Sequence, residues 1–151
     1  MTGGTTLPVI YKEDTSLEIG KAIFLKHGKD IAFVVTGVII NEVIKAVKKL
    51  EKCNISWTII DMCTIKPLDT VALDRIKDCK LIVSVEEHST YGGLGSAISE
   101  YYIQSLKHPQ MIILGTRDEM LGVSSYEEAL KYNELDADSI VHKIIKKLNE
   151  V

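Results

Sequence analysis

Short apolar runs separated by polar turns are the main pattern along this 151-residue chain. Four runs are four or five residues long and mostly aliphatic: 31–35, 57–60, 81–85 and 111–114. Continuous apolar runs of this length predict strands that are buried on both faces of a sheet. A further run at residues 22–25 is separated from the run at 31–35 by a polar turn containing Gly28, which predicts a hairpin-like approach to the sheet.

Apolar residues recur at helical spacing in several stretches that follow these runs. In the first predicted helix these residues are Val43, Ile44, Val47 and Leu50. In the third they are Leu94, Ala97, Ile98 and Tyr101. In the last they are Ile140, Val141, Ile144, Ile145 and Leu148. Capping signals mark two other helices: Asp69 begins one that is expected to end near Cys79, and Ser125 forms a capping box with Glu128. The chain therefore alternates strands with helices.

The predicted order of elements, β, β, α, β, α, β, α, β, α, α, indicates an α/β fold built as a three-layer α/β/α sandwich. Because crossovers between parallel strands are right-handed, we expect a five-stranded, mostly parallel sheet in which the early strand is antiparallel. Residues 7–11 predict an arm or an edge strand, since Pro8 cannot donate to a strand ladder. We expect one domain over residues 7–151, after a flexible leader or expression remnant at residues 1–6.

The composition fits a soluble domain with an ordinary core, because 46% of the residues are hydrophobic and the formal net charge is −3. No basic run offsets this charge, so neither nucleic acid nor an acidic membrane is expected as a partner. The three cysteines, Cys53, Cys63 and Cys79, lack zinc-site spacing, which predicts reduced thiols and a cytoplasmic location. No apolar stretch approaches the ~18 residues of a membrane span, and no signal peptide is recognised.

The stretch after the run at residues 81–85 carries the densest candidate chemistry. It contains two acids, a histidine and three glycines: Glu86, Glu87, His88, Gly92, Gly93 and Gly95. In an open α/β sheet this order places them at the carboxyl edge of the strands, where ligands bind. The acids and the histidine favour either acid–base chemistry or an orienting hydrogen bond. The loop amides can hold an anion at the helix start, or the missing Cβ atoms can let another domain approach closely.

Other candidate features have simpler interpretations. Thr36 and Gly37 lie between a strand and a helix, but a single glycine predicts a helix start rather than a phosphate loop. Arg117 and Asp118 follow the last strand at the same edge, where they either join the acid cluster or form a surface ion pair. The remaining histidines are expected on the solvated surface: His27, His108 and His142.

Two segments together resemble the C-terminal domain of the transketolase superfamily: CTIKPLD at residues 63–69 and VEEHSTYGGLGS at residues 85–96. This superfamily of thiamine diphosphate enzymes includes transketolase, deoxyxylulose-phosphate synthase and the beta subunits of 2-oxoacid dehydrogenases. The resemblance covers nearly the whole chain. It begins at LPVIYKED, residues 7–14, which is similar to the segment joining the pyrimidine-binding domain to the C-terminal domain. It implies a five-stranded mixed sheet flanked by helices.

The resemblance also implies what this chain lacks. In the superfamily, thiamine diphosphate and magnesium bind between two other domains, and the Gly-Asp-Gly motif that holds them does not occur in this sequence. We therefore expect no catalytic, cofactor-binding or metal-binding residue in this chain, and no activity of the chain alone. The intact enzyme implied by the resemblance transfers a two-carbon ketol unit between sugar phosphates.

Five residues match the family motif and are candidates for an interface or an active-site rim: Glu87, His88, Gly92, Gly93 and Gly95. The partners that the resemblance implies are the pyrimidine-binding and diphosphate-binding domains of the parent enzyme and a second copy in a homodimer. An alternative hypothesis is a regulatory α/β module that binds an anion or nucleotide at the helix start of residues 92–96.

Overall fold

Strands and helices alternate along the computed structural model, which describes residues 8–11, 13–119 and 125–150. The elements in this part of the chain are β1 (Ile23–Lys26), β2 (Ile31–Thr36), α1 (Ile40–Leu50), β3 (Trp57–Asp61), α2 (Thr70–Asp74), β4 (Leu81–Ser89), α3 (Leu94–Tyr102), β5 (Gln110–Thr116), α4 (Tyr126–Tyr132) and α5 (Ala137–Asn149). A short 3₁₀ helix (Glu51–Cys53) continues α1. This order confirms the predicted alternation.

The five strands form one mixed sheet in the order β1-β3-β2-β4-β5. Strands β2 to β5 are parallel, and β1 is the antiparallel exception, as predicted. The predicted hairpin is wrong, because β1 pairs with β3 rather than with β2. The turn between β1 and β2 crosses the start of β3: the amide of Gly28 donates to Thr58 Oγ1 at 2.9 Å, and a Cβ on Gly28 would lie 2.5 Å from the Trp57 backbone. This crossing leaves β3 between the two strands.

Helices cover both faces of the sheet, which gives the predicted three-layer sandwich. On one face, α1, α4 and α5 share a buried core that includes Phe33, Val35, Val43, Val47, Trp57, Val83, Leu130, Ile140 and Ile144. On the other face, α2 and α3 share a core that includes Ala32, Val34, Ile60, Leu73, Ile82, Leu94, Ile98 and Tyr102. Each fully buried aliphatic side chain contributes ~1.5–3 kcal/mol relative to its exposed state, so both layers are strongly held to the sheet.

The helix after the CTIKPLD motif starts as predicted but is shorter. Asp69 caps α2, because one of its carboxylate oxygens accepts from the amide of Ala72 at 3.0 Å. The helix ends at Asp74 rather than near Cys79. From Ile76 onward the backbone amides bond three residues back, which tightens the chain into turns.

At the other helices the predicted signals are confirmed with one exception. Ser125 and Glu128 form the predicted capping box at the start of α4. On α5, Ile140 and Ile144 are buried, whereas Ile145, which the pattern predicts on the same face, is 43% exposed. The reason is that one residue turns the helix by about 100°, so Ile145 lies well around from Ile144.

Two predictions concern the start of the chain. Residues 8–11 form no strand, so an arm describes them and an edge strand does not. Residue 7 and the predicted leader at residues 1–6 lie outside the described residues. Within the described ranges, no helix is long and apolar enough to cross a membrane.

Candidate functional site

The carboxyl ends of the parallel strands bring the candidate residues to one edge of the sheet. Thr36 at the end of β2 lies beside Glu86 of β4, and Ser89 of β4 lies beside Thr116 at the end of β5. Strand β4 extends to Ser89, so the polar group that was expected to follow the strand is part of it. The edge therefore holds the stretch from Glu86 to the start of α3.

Glu86 is fully buried, and its carboxylate caps the start of α3. The amide of Leu94 donates to Glu86 Oε2 at 2.7 Å, and the amide of Gly95 donates to Oε1 at 2.8 Å. These amides belong to the first turn of the helix, where the backbone N–H groups have no carbonyl acceptor within the helix and where the helix dipole favours a negative charge. The chain thus supplies its own anion at the place where the alternative hypothesis put an external one. That alternative gains no support.

The glycines of this loop differ in what they do. A Cβ on Gly93 would overlap Glu86 Oε2, and a Cβ on Gly95 would lie 2.5 Å from Ile113 Cγ2. Both residues are buried, so their missing side chains make room within the chain itself. Gly92 is exposed, has a φ of +75° and has open space where a Cβ would point. Among the three, Gly92 alone is placed to contact another molecule.

Glu87 and His88 both face solvent near the end of β4, where the pairing with β5 also shifts its register between Val85 and Ser89. His88 donates from Nδ1 to the carbonyl of Ser89 at 3.0 Å, which orients its ring. Glu86 points inward while these two residues point outward. The three residues therefore do not form one acid–base cluster.

A tyrosine at the start of α4, Tyr126, also reaches this rim. Burial, together with the nearby Glu87 carboxylate, raises the pKa of the Tyr126 hydroxyl. A Cβ on Gly37, after β2, would lie 4.0 Å from Glu87 Oε2. Glu87 therefore lies between the start of α1 and the start of α4.

The other candidate features take the simpler of their two interpretations. Arg117 is an ion-pair partner of Glu134 at 3.7 Å, and its guanidinium lies 5.2 Å from the centre of the Tyr132 ring. It therefore belongs to a surface ion pair rather than to the acid cluster. Gly37 has a φ of +83°, and its carbonyl accepts from the amide of Ile40, so it starts a helix as predicted.

Sequence reasoning missed a polar group at the end of β3. The hydroxyl of Tyr11 donates to Asp61 Oδ2, and Asp61 is 6% exposed. Burial raises the pKa of Asp61, although the bond from Tyr11 opposes this. Burial and the nearby Asp61 charge also raise the pKa of the Cys63 thiol. The available signal was an aspartate directly after an apolar run, at the same edge as Glu86.

The described residues do not fit the diphosphate and magnesium of the cofactor that the resemblance implies. No group of three or more histidine, cysteine or acidic side chains in ranges 8–11, 13–119 and 125–150 is arranged to hold a metal ion. The first amides of α3 face the Glu86 carboxylate, which would repel a diphosphate. No chemical step through the cofactor follows from this chain's own residues.

Comparison with known proteins gives a consistent family. The family model "Transketolase, C-terminal domain" matches residues 20–140. A protein of Methanocaldococcus jannaschii, "Putative transketolase C-terminal section", is 33% identical over 144 residues, which are 94% of this chain and 45% of that protein. One subunit of the apulose-4-phosphate transketolase of Actinobacillus succinogenes is 36% identical over 143 residues, 91% of this chain and 45% of that protein.

A solved structure described as "Split gene transketolase, inactive beta4 tetramer" superposes with a TM-score of 0.84 at 31% identity, over 95% of this chain and 47% of that one. The chain thus spans about half the length of the relatives it matches. Since the family model covers most of the sequence, and the five-stranded mixed sheet agrees with it, the chain belongs to the transketolase C-terminal domain family.

Proposed function

We propose that this chain is the C-terminal domain, as a fragment or a separate subunit, of a transketolase-like enzyme that transfers a two-carbon ketol unit between sugar phosphates. The observation that carries the proposal is the match to the transketolase C-terminal domain over residues 20–140. The domain supports dimer and domain assembly and is not catalytic alone. Its partners are the pyrimidine-binding and diphosphate-binding domains of the parent enzyme and a second copy in a homodimer.

Thiamine diphosphate and magnesium bind in those other domains rather than in this chain. Support comes from the start of α3, where the amides of Leu94 and Gly95 already donate to the Glu86 carboxylate rather than to a diphosphate. The split-gene relative, described as an inactive beta4 tetramer, also agrees with a chain that needs a partner for activity. The free thiols of Cys53, Cys63 and Cys79 suit the cytoplasm, where such an enzyme would work.

The rim of this domain consists of Glu87, His88 and Gly92 on the outside, shaped from within by Gly93 and Gly95. The exposed side chains of Glu87 and His88 contact the neighbouring domain or line the outer part of its active site. The buried glycines keep α3 close to β4 and β5, because any side chain at Gly95 would meet Ile113. The five residues thus serve the rim in two different ways.

Reconstitution tests the proposal. The purified chain is assayed for ketol transfer from a ketose phosphate to an aldose phosphate, alone and mixed with a protein that carries the other two domains. We expect no turnover by the chain alone and turnover in the mixture. Turnover by the chain alone, or none in a mixture that forms a complex, would refute the proposed role.

His88→Ala in the mixture tests the rim, because it removes an exposed side chain from the carboxyl edge. We expect it to weaken complex formation or turnover. His108→Ala is the matched control, since it removes an exposed histidine that precedes β5, at the opposite end of the parallel strands. Equal behaviour of the two variants would show that His88 has no part in the interface or the rim.

A further inference from the structure

The loop that follows β3 holds the segment that leads into β1. We call residues 61–69, which include the CTIKPLD motif, the β3 loop. We call the described residues from 11 to 22 the leading segment. Three hydrogen bonds connect them: Tyr11 to Asp61, the amide of Gly20 to Thr64 Oγ1 at 2.9 Å, and the amide of Ala22 to Asp69 Oδ2 at 2.8 Å. The partners are 44 to 50 residues apart in the sequence. These contacts are therefore tertiary rather than local.

Two side chains of the β3 loop are fixed in place for these contacts by bonds of their own. Thr64 donates its hydroxyl to the carbonyl of Pro67 at 3.0 Å, so its oxygen is oriented to accept from Gly20. Asp69 uses Oδ1 to cap α2, through the amide of Ala72, and leaves Oδ2 for Ala22. The loop thus has bonds of its own that do not involve the leading segment.

The leading segment has little else to hold it. Its two large aliphatic side chains face solvent, since Leu17 is 66% and Ile19 is 80% exposed. The acids that receive it are buried, with Asp61 6% and Asp69 7% exposed. At Gly20, whose φ is +82°, the backbone passes so close to Pro67 that a Cβ would lie 3.0 Å from its Cγ. Polar bonds to the β3 loop, rather than apolar burial, therefore hold the segment.

We infer that the β3 loop is a clamp that sets the direction in which the chain enters this domain, and so fixes the preceding domain relative to the rim. The inference rests on the proposed function, in which the pyrimidine-binding domain is a neighbour. It gives the CTIKPLD motif a role in holding the leading segment, which is separate from cofactor binding and from the rim. Both the β3 loop and the rim lie at the carboxyl edge, since β3 and β2 pair in parallel and Asp61 lies beside Val35. By holding the leading segment at this edge, the clamp can thus fix the orientation of the preceding domain relative to the rim.

The clamp is tested first in the chain by itself, by backbone amide hydrogen exchange. Tyr11→Phe removes only the hydroxyl that bonds to Asp61. If the three bonds act as one unit, the amides of Gly20 and Ala22 exchange about fivefold faster or more. This is the factor expected when the free energy of opening the segment falls by about 1 kcal/mol. Tyr101→Phe is the control, because it removes a surface hydroxyl bond to a carboxylate, that of Asp74 at 2.9 Å. Unchanged exchange in Tyr11→Phe, or unprotected amides in the unmodified chain, would overturn the clamp.

The consequence for the neighbouring domain is tested in the complex with the other domains. We expect Tyr11→Phe combined with Thr64→Val to lower turnover several-fold while Tyr101→Phe leaves it unchanged. If the unmodified complex is active and the double variant matches it, the inference is overturned and the proposed function stands. If the unmodified complex is inactive, the proposed function fails, and the exchange experiment decides the clamp separately.

Discussion

Replacing the buried carboxylate of Glu86 by an amide is the sharpest perturbation that the rim allows. Glu86→Gln keeps the size and shape of the side chain and one acceptor oxygen. Its amide NH₂ then faces one of the two backbone amides, of Leu94 or Gly95, that now donate to the carboxylate. Two donors meet at that position, and one N–H at the start of α3 is left without an acceptor.

The expected cost follows from these contacts. A hydrogen bond to a charged group contributes ~1.5–3 kcal/mol net, and a buried donor left unpaired costs a similar amount. Loss of the negative charge at the helix start adds ~0.3–1 kcal/mol. We therefore expect Glu86→Gln to lower the free energy of unfolding by about 2–4 kcal/mol, which lowers Tm by roughly 4–16 °C for a chain of this size.

Urea denaturation measures this change, with fluorescence of the single tryptophan, Trp57, as the probe, since its side chain is 2% exposed in the fold. Glu87→Gln is the matched control, because it makes the same chemical change at the next, exposed residue. We expect the control to stay within about 0.5 kcal/mol of the unmodified chain. Equal stability of the two variants would refute the assignment of Glu86 as the internal cap of α3.

Three further outcomes are expected. Gly95→Ala places a Cβ 2.5 Å from Ile113 Cγ2, so overpacking lowers the free energy of unfolding by about 1–3 kcal/mol in the same urea assay; no loss would show that α3 shifts freely. Burial raises the folded-state pKa of Asp61 above its unfolded value, so the contribution of Asp61 to stability is complete below the unfolded pKa and is lost as pH rises through the folded pKa. Asp61→Asn should therefore gain stability relative to the unmodified chain as pH rises from the acid range to neutrality. A difference in stability that does not change with pH would contradict this. Alkylation followed by mass spectrometry should label the exposed thiols of Cys53 and Cys63 in the native chain, with Cys63 reacting more slowly because its pKa is raised. Buried Cys79 should be labelled only after denaturation. Rapid labelling of Cys79 in the native chain would contradict its burial.

The strands of this fold were predictable because each is a continuous apolar run that has no alternative to burial. Their pairing was only partly predictable. The turn through Gly28 reads as a hairpin, yet its backbone lies against Trp57 and carries the chain across β3. A contact between residues about 30 positions apart in sequence decides that path, and no local pattern contains it.

The rim shows the same limit at the level of side chains. The motif identified the family, but three consecutive polar residues gave no indication that Glu86 turns inward while Glu87 and His88 turn outward. What decides the orientation of Glu86 is the position of α3, whose first amides donate to its carboxylate. The contact between Tyr11 and Asp61 was missed for a related reason, since it joins an arm to a strand end 50 residues away.

Calorimetric titration of the isolated chain with thiamine diphosphate and magnesium tests most directly whether this domain completes an active site or contains one. We expect no heat beyond that of dilution, because the Glu86 carboxylate already holds the amides of α3. The same titration of the chain mixed with the other two domains is the positive control, and there we expect saturable binding. Saturable binding by the isolated chain, with a dissociation constant in the micromolar range, would contradict the role assigned to this domain.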